Sequence, residues 1–103
     1  MEPHAEQRVF EAIADPTRRA ILAMLADRPT AVEAIAGCFP MSRPAISKHL
    51  RTLLEAGLVR REAAGRMNIY RAEPEPLGEV MDWVENLWRG RLARLKRLAE
   101  GDS

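Results

Sequence analysis

The chain has a single cysteine, Cys38, so no internal disulfide framework can hold its 103 residues together. A lone thiol fits the reducing cytoplasm, which is the expected location. No apolar run approaches the ~20 residues of a membrane span, and no membrane partner is expected. Met1-Glu2-Pro3-His4 lacks the basic and apolar regions of a signal peptide. Internal repeats, low-complexity segments and a phosphate-cradling glycine loop are missing as well. What is present is a hydrophobic fraction of 47%, too high for a disordered chain, in a length that suits one domain spanning residues 1–103.

A net charge of +1 says little until it is divided along the chain. Residues 1–41 carry four Arg against six acids, a balance of −2, and residues 72–103 carry five basic against seven acidic side chains, again −2. Between them, residues 42–71 hold Arg43, Lys48, Arg51, Arg60, Arg61, Arg66 and Arg71 against Glu55 and Glu62, a balance of +5. Clustering of this kind is the electrostatic footprint of a nucleic-acid surface, although a solvated charged face has the same composition.

The periodicity predicts a first helix over Ala5–Ala14, with Val9, Phe10 and Ile13 on one side. Asp15 caps a second helix that opens with Pro16 and runs to Ala26. Thr30 and Glu33 fit a reciprocal capping box for a short third helix through Ile35 and Ala36. After the turn Phe39-Pro40-Met41, Ser42 caps a fourth helix in which Ile46, Leu50, Leu53 and Leu54 share one side, while Pro44, Ser47, Lys48 and Arg51 share another. Gly57 is placed to end it. Leu58–Glu62 and Met67–Arg71 read as two strands around Ala63-Ala64-Gly65-Arg66, a basic hairpin directly after the polar helix. Pro74 and Pro76 open a last helix to Ala99, whose stripe from Leu77 to Leu98 is longer than so small a core can cover. The expected fold is therefore mainly α with a small β-hairpin: a helix-turn-helix over 31–56, a wing over 58–72, and helices 5–14 and 74–99 left for dimerisation.

Ser42-Arg43-Pro44-Ala45-Ile46-Ser47-Lys48-His49-Leu50, then Glu55-Ala56-Gly57-Leu58-Val59, Gly65-Arg66 and Tyr70, together with the opening Asp15-Pro16-Thr17-Arg18-Arg19, resemble the ArsR/SmtB family of bacterial winged helix-turn-helix repressors. Leu77 with Trp83 and Trp88 resembles the subgroup lacking metal sites. The resemblance implies a homodimer that occupies a pseudo-palindromic operator in double-stranded DNA. It implies base contacts at Arg43, Pro44, Ser47 and Lys48, where proline supplies no side-chain donor. Ser42, Arg51, Thr52, Arg61 and Arg66 complete the expected DNA surface, chiefly as phosphate contacts. Val9, Phe10, Val84, Leu87, Trp88, Leu92 and Leu95 are the expected dimer interface.

Other readings compete with this one. Metal sensing needs several converging ligands, whereas Cys38 has no closely spaced partner and Asp82 and Glu85 have no nearby histidine; His4 stands at the terminus. No metal, cofactor or named effector is expected. Cys38 reads as a buried or partly buried structural thiol rather than a redox switch, His49 as a packing or backbone-bonding residue, and Trp83 and Trp88 as core or interface aromatics. An enzyme fits poorly, because Ser47 and His49 diverge by about 200° on one helix and cannot share a triad with Asp15. A winged helix that has lost DNA binding and acts through its apolar last helix is the reading of a different class.

Overall fold

Asp15 and Pro16 start the second helix as the sequence predicts, and much of the architecture is organised around that junction. The structure, a computed structural model, describes residues 3–101, with side chains from Ala5 onward, so His4 lies outside the described side chains. Among the described residues the elements run α1 (Pro3–Ile13), α2 (Pro16–Asp27), β1 (Thr30–Ala31), α3 (Val32–Gly37), α4 (Arg43–Glu55), β2 (Val59–Ala64), β3 (Met67–Ala72) and α5 (Glu75–Ala99).

The Asp15 carboxylate accepts from the Arg18 backbone N–H at 3.0 Å, satisfying one of the free donors of α2. α1 has no basic residue in its own last turn, and its terminal carbonyls are met from the next helix instead. Arg18 donates to the carbonyls of Ala12 and Glu11, and Arg19 to that of Ile13, each at 2.7 Å. Two guanidiniums thus cap the negative end of α1 and fix the bend between the two helices.

α4 ends in a Schellman motif. The Leu58 N–H bonds to the Leu53 carbonyl and the Gly57 N–H to that of Leu54, each at 3.0 Å, with Gly57 at φ 75°. Leu53 and Leu58, brought together by this turn, are both fully buried. The core they join is built from Val9 and Ala12 of α1, Ile21 and Leu25 of α2, Ile35 of α3, Ile46 and Leu50 of α4, Tyr70 of β3 and Val80 of α5.

The structure departs from three expectations. The Thr30–Glu33 capping box does not form: α3 begins after Ala31 with no side-chain cap, and the Thr30 hydroxyl donates to the Arg28 carbonyl. Thr30 and Ala31 form a strand instead, paired antiparallel with Tyr70 and Ile69, so the expected hairpin is a three-stranded sheet of order β1-β3-β2. Val9, expected at a dimer interface, is only 1% exposed and belongs to the monomer's own core.

β2 and β3 pair from Val59↔Ala72 to Ala64↔Met67, leaving Gly65-Arg66 as a two-residue turn with Gly65 at φ 64°. α5 behaves differently from the other helices. Val80 is buried, but beyond it every residue through Gly101 is exposed. The radius of gyration of 17.9 Å, against about 13 Å for a compact chain of this length, reflects the projecting helix. No helix among the described residues is long and apolar enough to cross a membrane.

Candidate nucleic-acid interface

α4 presents two opposed faces. Ile46, Leu50 and Leu53 are buried, while Ser42, Arg43, Pro44, Ser47, Lys48 and Arg51 are exposed. Ser42 caps the helix by accepting from the Ala45 N–H at 3.2 Å, which leaves its hydroxyl proton available to an external acceptor. Thr52 differs from the expectation. It is half-buried, and its hydroxyl donates to the Lys48 carbonyl at 3.2 Å, so its proton is already engaged and it is not poised to donate to a phosphate.

The hairpin register decides which arginines look toward α4. Arg61 stands opposite Tyr70 and Ala63 opposite Asn68, on the same face as buried Val59 and half-buried Ala72. This face meets α4, and the two elements enclose a cleft of about 300 Å³ lined by Arg43, Ser47, Arg51, Arg61, Asn68 and Tyr70. Three guanidiniums therefore border one polar groove between the helix and the sheet.

Arg60 and Arg71 lie on the opposite face and are partly neutralised. Arg60 pairs with Glu62 at 3.1 Å and Glu73 at 3.4 Å, and Arg71 with Glu62 at 2.9 Å. The hydrogen bond from Arg71 is the main cause of a Glu62 carboxyl held below its ordinary value; burial opposes it, and the charges of Arg71 and Arg60 reinforce it. Among the described residues, Lys48, Arg51, Arg61 and Arg66 have no carboxylate within ion-pair distance, and Arg43 pairs with Glu33 of α3 at 3.0 Å. Glu33, expected only as a helix cap, and Asn68 and Tyr70 were not expected at this surface. The strand register could have placed the last two, but the alternation of the hairpin is too irregular to assign faces without it.

His49 emerges from the other side of α4, half-buried, where its Nδ1 lies 3.2 Å from an Arg18 guanidinium nitrogen and 3.9 Å from the Asp15 carboxylate. It bonds to side chains of the helix junction rather than to the backbone. Asp15 and His49 do come together, but Ser47 is on the cleft side of the helix, away from them. Cys38 is exposed, not the buried or partly buried thiol expected. No group of three His, Cys, Asp or Glu side chains converges among the described residues.

The expected interface residues of α5 sit apart from this surface. Val84, Leu87 and Trp88 are about two-fifths exposed, and Leu92 and Leu95 are 59% and 58% exposed. Phe10 of α1 packs edge-on against Trp83 at 6.2 Å between ring centroids, and the Arg91 guanidinium lies 5.5 Å over the Trp88 ring. The two tryptophans lie on the flank of α1 and α5, outside the core cluster.

A helix-turn-helix domain family matches residues 13–62, the span that contains the polar helix and the start of the hairpin. Over 97 residues the chain is 39% identical to the HTH-type transcriptional regulator Rv2034 of Mycobacterium tuberculosis, covering 92% of this chain and 91% of that protein. Among solved structures, the ArsR-like transcriptional regulator from Rhodococcus sp. RHA1 superposes with a TM-score of 0.81 at 35% identity, covering 97% of this chain and 94% of that one. The chain belongs to the ArsR/SmtB family. A further structural neighbour is the homodimeric winged helix-turn-helix DNA-binding domain of Mb0332 from Mycobacterium bovis, a possible ArsR-family transcriptional regulator. It matches with a TM-score of 0.67 at 31% identity over 88% of this chain and 84% of that one. Proteins named as repressors also occur among the ArsR/SmtB relatives. The segments expected as recognition helix and wing correspond to α4 and the β2–β3 hairpin.

Proposed function

We propose that the protein is a homodimeric transcriptional repressor that binds a pseudo-palindromic operator in double-stranded DNA and acts in the cytoplasm, on the nucleoid. The observation that carries this reading is the cleft between recognition helix and wing, where Arg43, Arg51 and Arg61 converge beside exposed Ser47. The helix-turn-helix over 31–56 and the wing over 58–72 form the reading head. Arg43, Ser47 and Lys48 read base edges in the major groove, and Pro44 offers its ring as an apolar contact. Ser42, Arg51, Arg61 and the wing-tip Arg66 engage phosphates, which set register without specifying sequence.

Dimerisation follows from α5, whose apolar residues beyond Val80 are left exposed by the described part of the chain. Phe10, Val84, Leu87, Trp88, Leu92 and Leu95 form the contact with a second copy, in keeping with the homodimeric structural relative. Two-fold symmetry would set the recognition helices about 34 Å apart, one DNA turn. Repression then needs no chemistry: a dimer lying on a promoter excludes polymerase.

We further propose that operator binding needs no metal, which the single exposed thiol and the absence of three converging ligands among the described residues support. A gel-shift series against the protein's own promoter, run at several salt concentrations and with and without added zinc, tests the reading. Salt-sensitive binding that is indifferent to zinc is expected. No binding to any fragment would overturn the repressor assignment in favour of a protein-interaction module, and zinc-dependent release would overturn metal independence.

A further inference from the structure

Among the described residues, Glu33 is the one acidic side chain paired to the reading face of α4. It lies in the first turn of α3, and its carboxylate accepts from Nη2 of Arg43 at 3.0 Å. Arg43 is the first residue of α4, next to that helix's positive end, and borders the same cleft as Arg51 and Arg61. Two like charges and the helix dipole therefore act to push its guanidinium out of the groove. Glu33 opposes them.

An acid at a phosphate-binding surface weakens attraction for every DNA sequence, so general affinity gives no reason for it to be there. Its geometry does give one. Nη2 carries two hydrogens, and Glu33 takes one. The other remains, with those of Nη1, to form the parallel pair of donors that guanine O6 and N7 accept. We propose that Glu33 is a specificity-determining residue: it holds the Arg43 guanidinium against neighbouring charge in the orientation that reads one guanine. In the free protein the pair is exposed on both sides, where such a bridge contributes little to stability. On DNA the groove removes water from it and the contact strengthens. The inference rests on the DNA-binding reading above.

The test uses the full chain and two duplexes, one enriched by the parent protein from a randomised pool and one scrambled to the same composition. Fluorescence anisotropy at fixed salt gives the ratio of affinities. Glu33→Ala should bind the scrambled duplex at least as tightly as the parent does, while the ratio falls about fivefold, within the range of one bidentate base contact. In an Arg43→Ala background the same substitution should leave the ratio unchanged. An unchanged ratio with Arg43 present, or an equal fall without it, would overturn the proposal while leaving DNA binding intact. If the parent bound neither duplex, the DNA-binding reading itself would fall and the proposal with it. Far-UV circular dichroism of Glu33→Ala, an exposed position outside the core, checks that its fold is retained.

Discussion

Arg18 and His49 meet at 3.2 Å across 31 residues of sequence, and their contact ties the recognition helix to the end of α1. Arginine can only donate, so the contact is a hydrogen bond in the His49 tautomer whose Nδ1 is free to accept. The same guanidinium holds the carbonyls of Ala12 and Glu11. One side chain therefore joins the α1 terminus, the start of α2 and the flank of α4.

Removing that junction should cost stability. Arg18→Ala is expected to lower the unfolding free energy by about 2 kcal/mol, because two backbone acceptors and His49 lose a charged donor together. Arg19→Ala, which loses one exposed bond, should cost less. Urea denaturation midpoints measured at equal protein concentration check the order; a larger loss for Arg19→Ala would contradict it.

Acid should weaken the fold through two carboxyls. The Arg18 backbone N–H holds Asp15 below its ordinary value, with burial opposing and the charges of His49 and Arg18 adding to the effect. Glu62 is lowered mainly by the Arg71 hydrogen bond. A folded-state value below the unfolded one contributes stability above the unfolded value, and that contribution is lost as pH falls through the folded one. Stability should therefore decline below the ordinary carboxylate range. Asp15→Asn should flatten part of that decline, and Glu62→Gln another part. Denaturation midpoints between about pH 6 and about pH 2 show the effect; an Asp15→Asn curve parallel to the parent's would refute the assignment.

Leu92 and Leu95 lie far along the exposed part of α5. Leu92→Glu/Leu95→Glu should convert a dimer into a folded monomer, because neither side chain belongs to the core cluster. Light scattering supplies the mass and circular dichroism the fold. A parent chain that is monomeric at micromolar concentration would refute the dimer.

Lys48 and Arg66 should fail in different ways. Lys48→Ala removes a proposed base contact and should lower preference for the operator, by ~1–3 kcal/mol for a good bidentate pair. Arg66→Ala removes a wing-tip charge from each subunit and should weaken binding to all sequences, reducing the salt slope by about 0.9 per subunit. Titrations of operator and random duplex across a salt series separate the two effects. Parent-like binding by both variants would place the DNA surface elsewhere.

The elements dictated by local signals were legible in the sequence. The Asp15 and Ser42 caps, the Gly57 stop and the apolar spacing of Ile46, Leu50 and Leu53 all act within a few residues, and each reappears in the structure. What was illegible depends on distant partners. Thr30 and Ala31 are a strand only because Tyr70 and Ile69 lie beside them, and two residues carry no periodicity. Val9 shares a helical side with Phe10, so only packing distinguishes the core residue from the half-buried one. Glu33 and Arg43 sit on different helices, and nothing in their spacing announces the ion pair.

β1 has a consequence for how the reading head meets DNA. α3 begins at the residue after β1, while β1 itself is paired to the inner strand of the wing. On the proposed reading, helix-turn-helix and wing would thereby act as two weak binding modules joined by a paired strand rather than a flexible linker. Once the recognition helix touches a groove, Arg61 and Arg66 are presented at high effective concentration, and little ordering entropy opposes the second contact. Under the proposed function, a strand of two residues would thus convert two modest affinities into a single bivalent one.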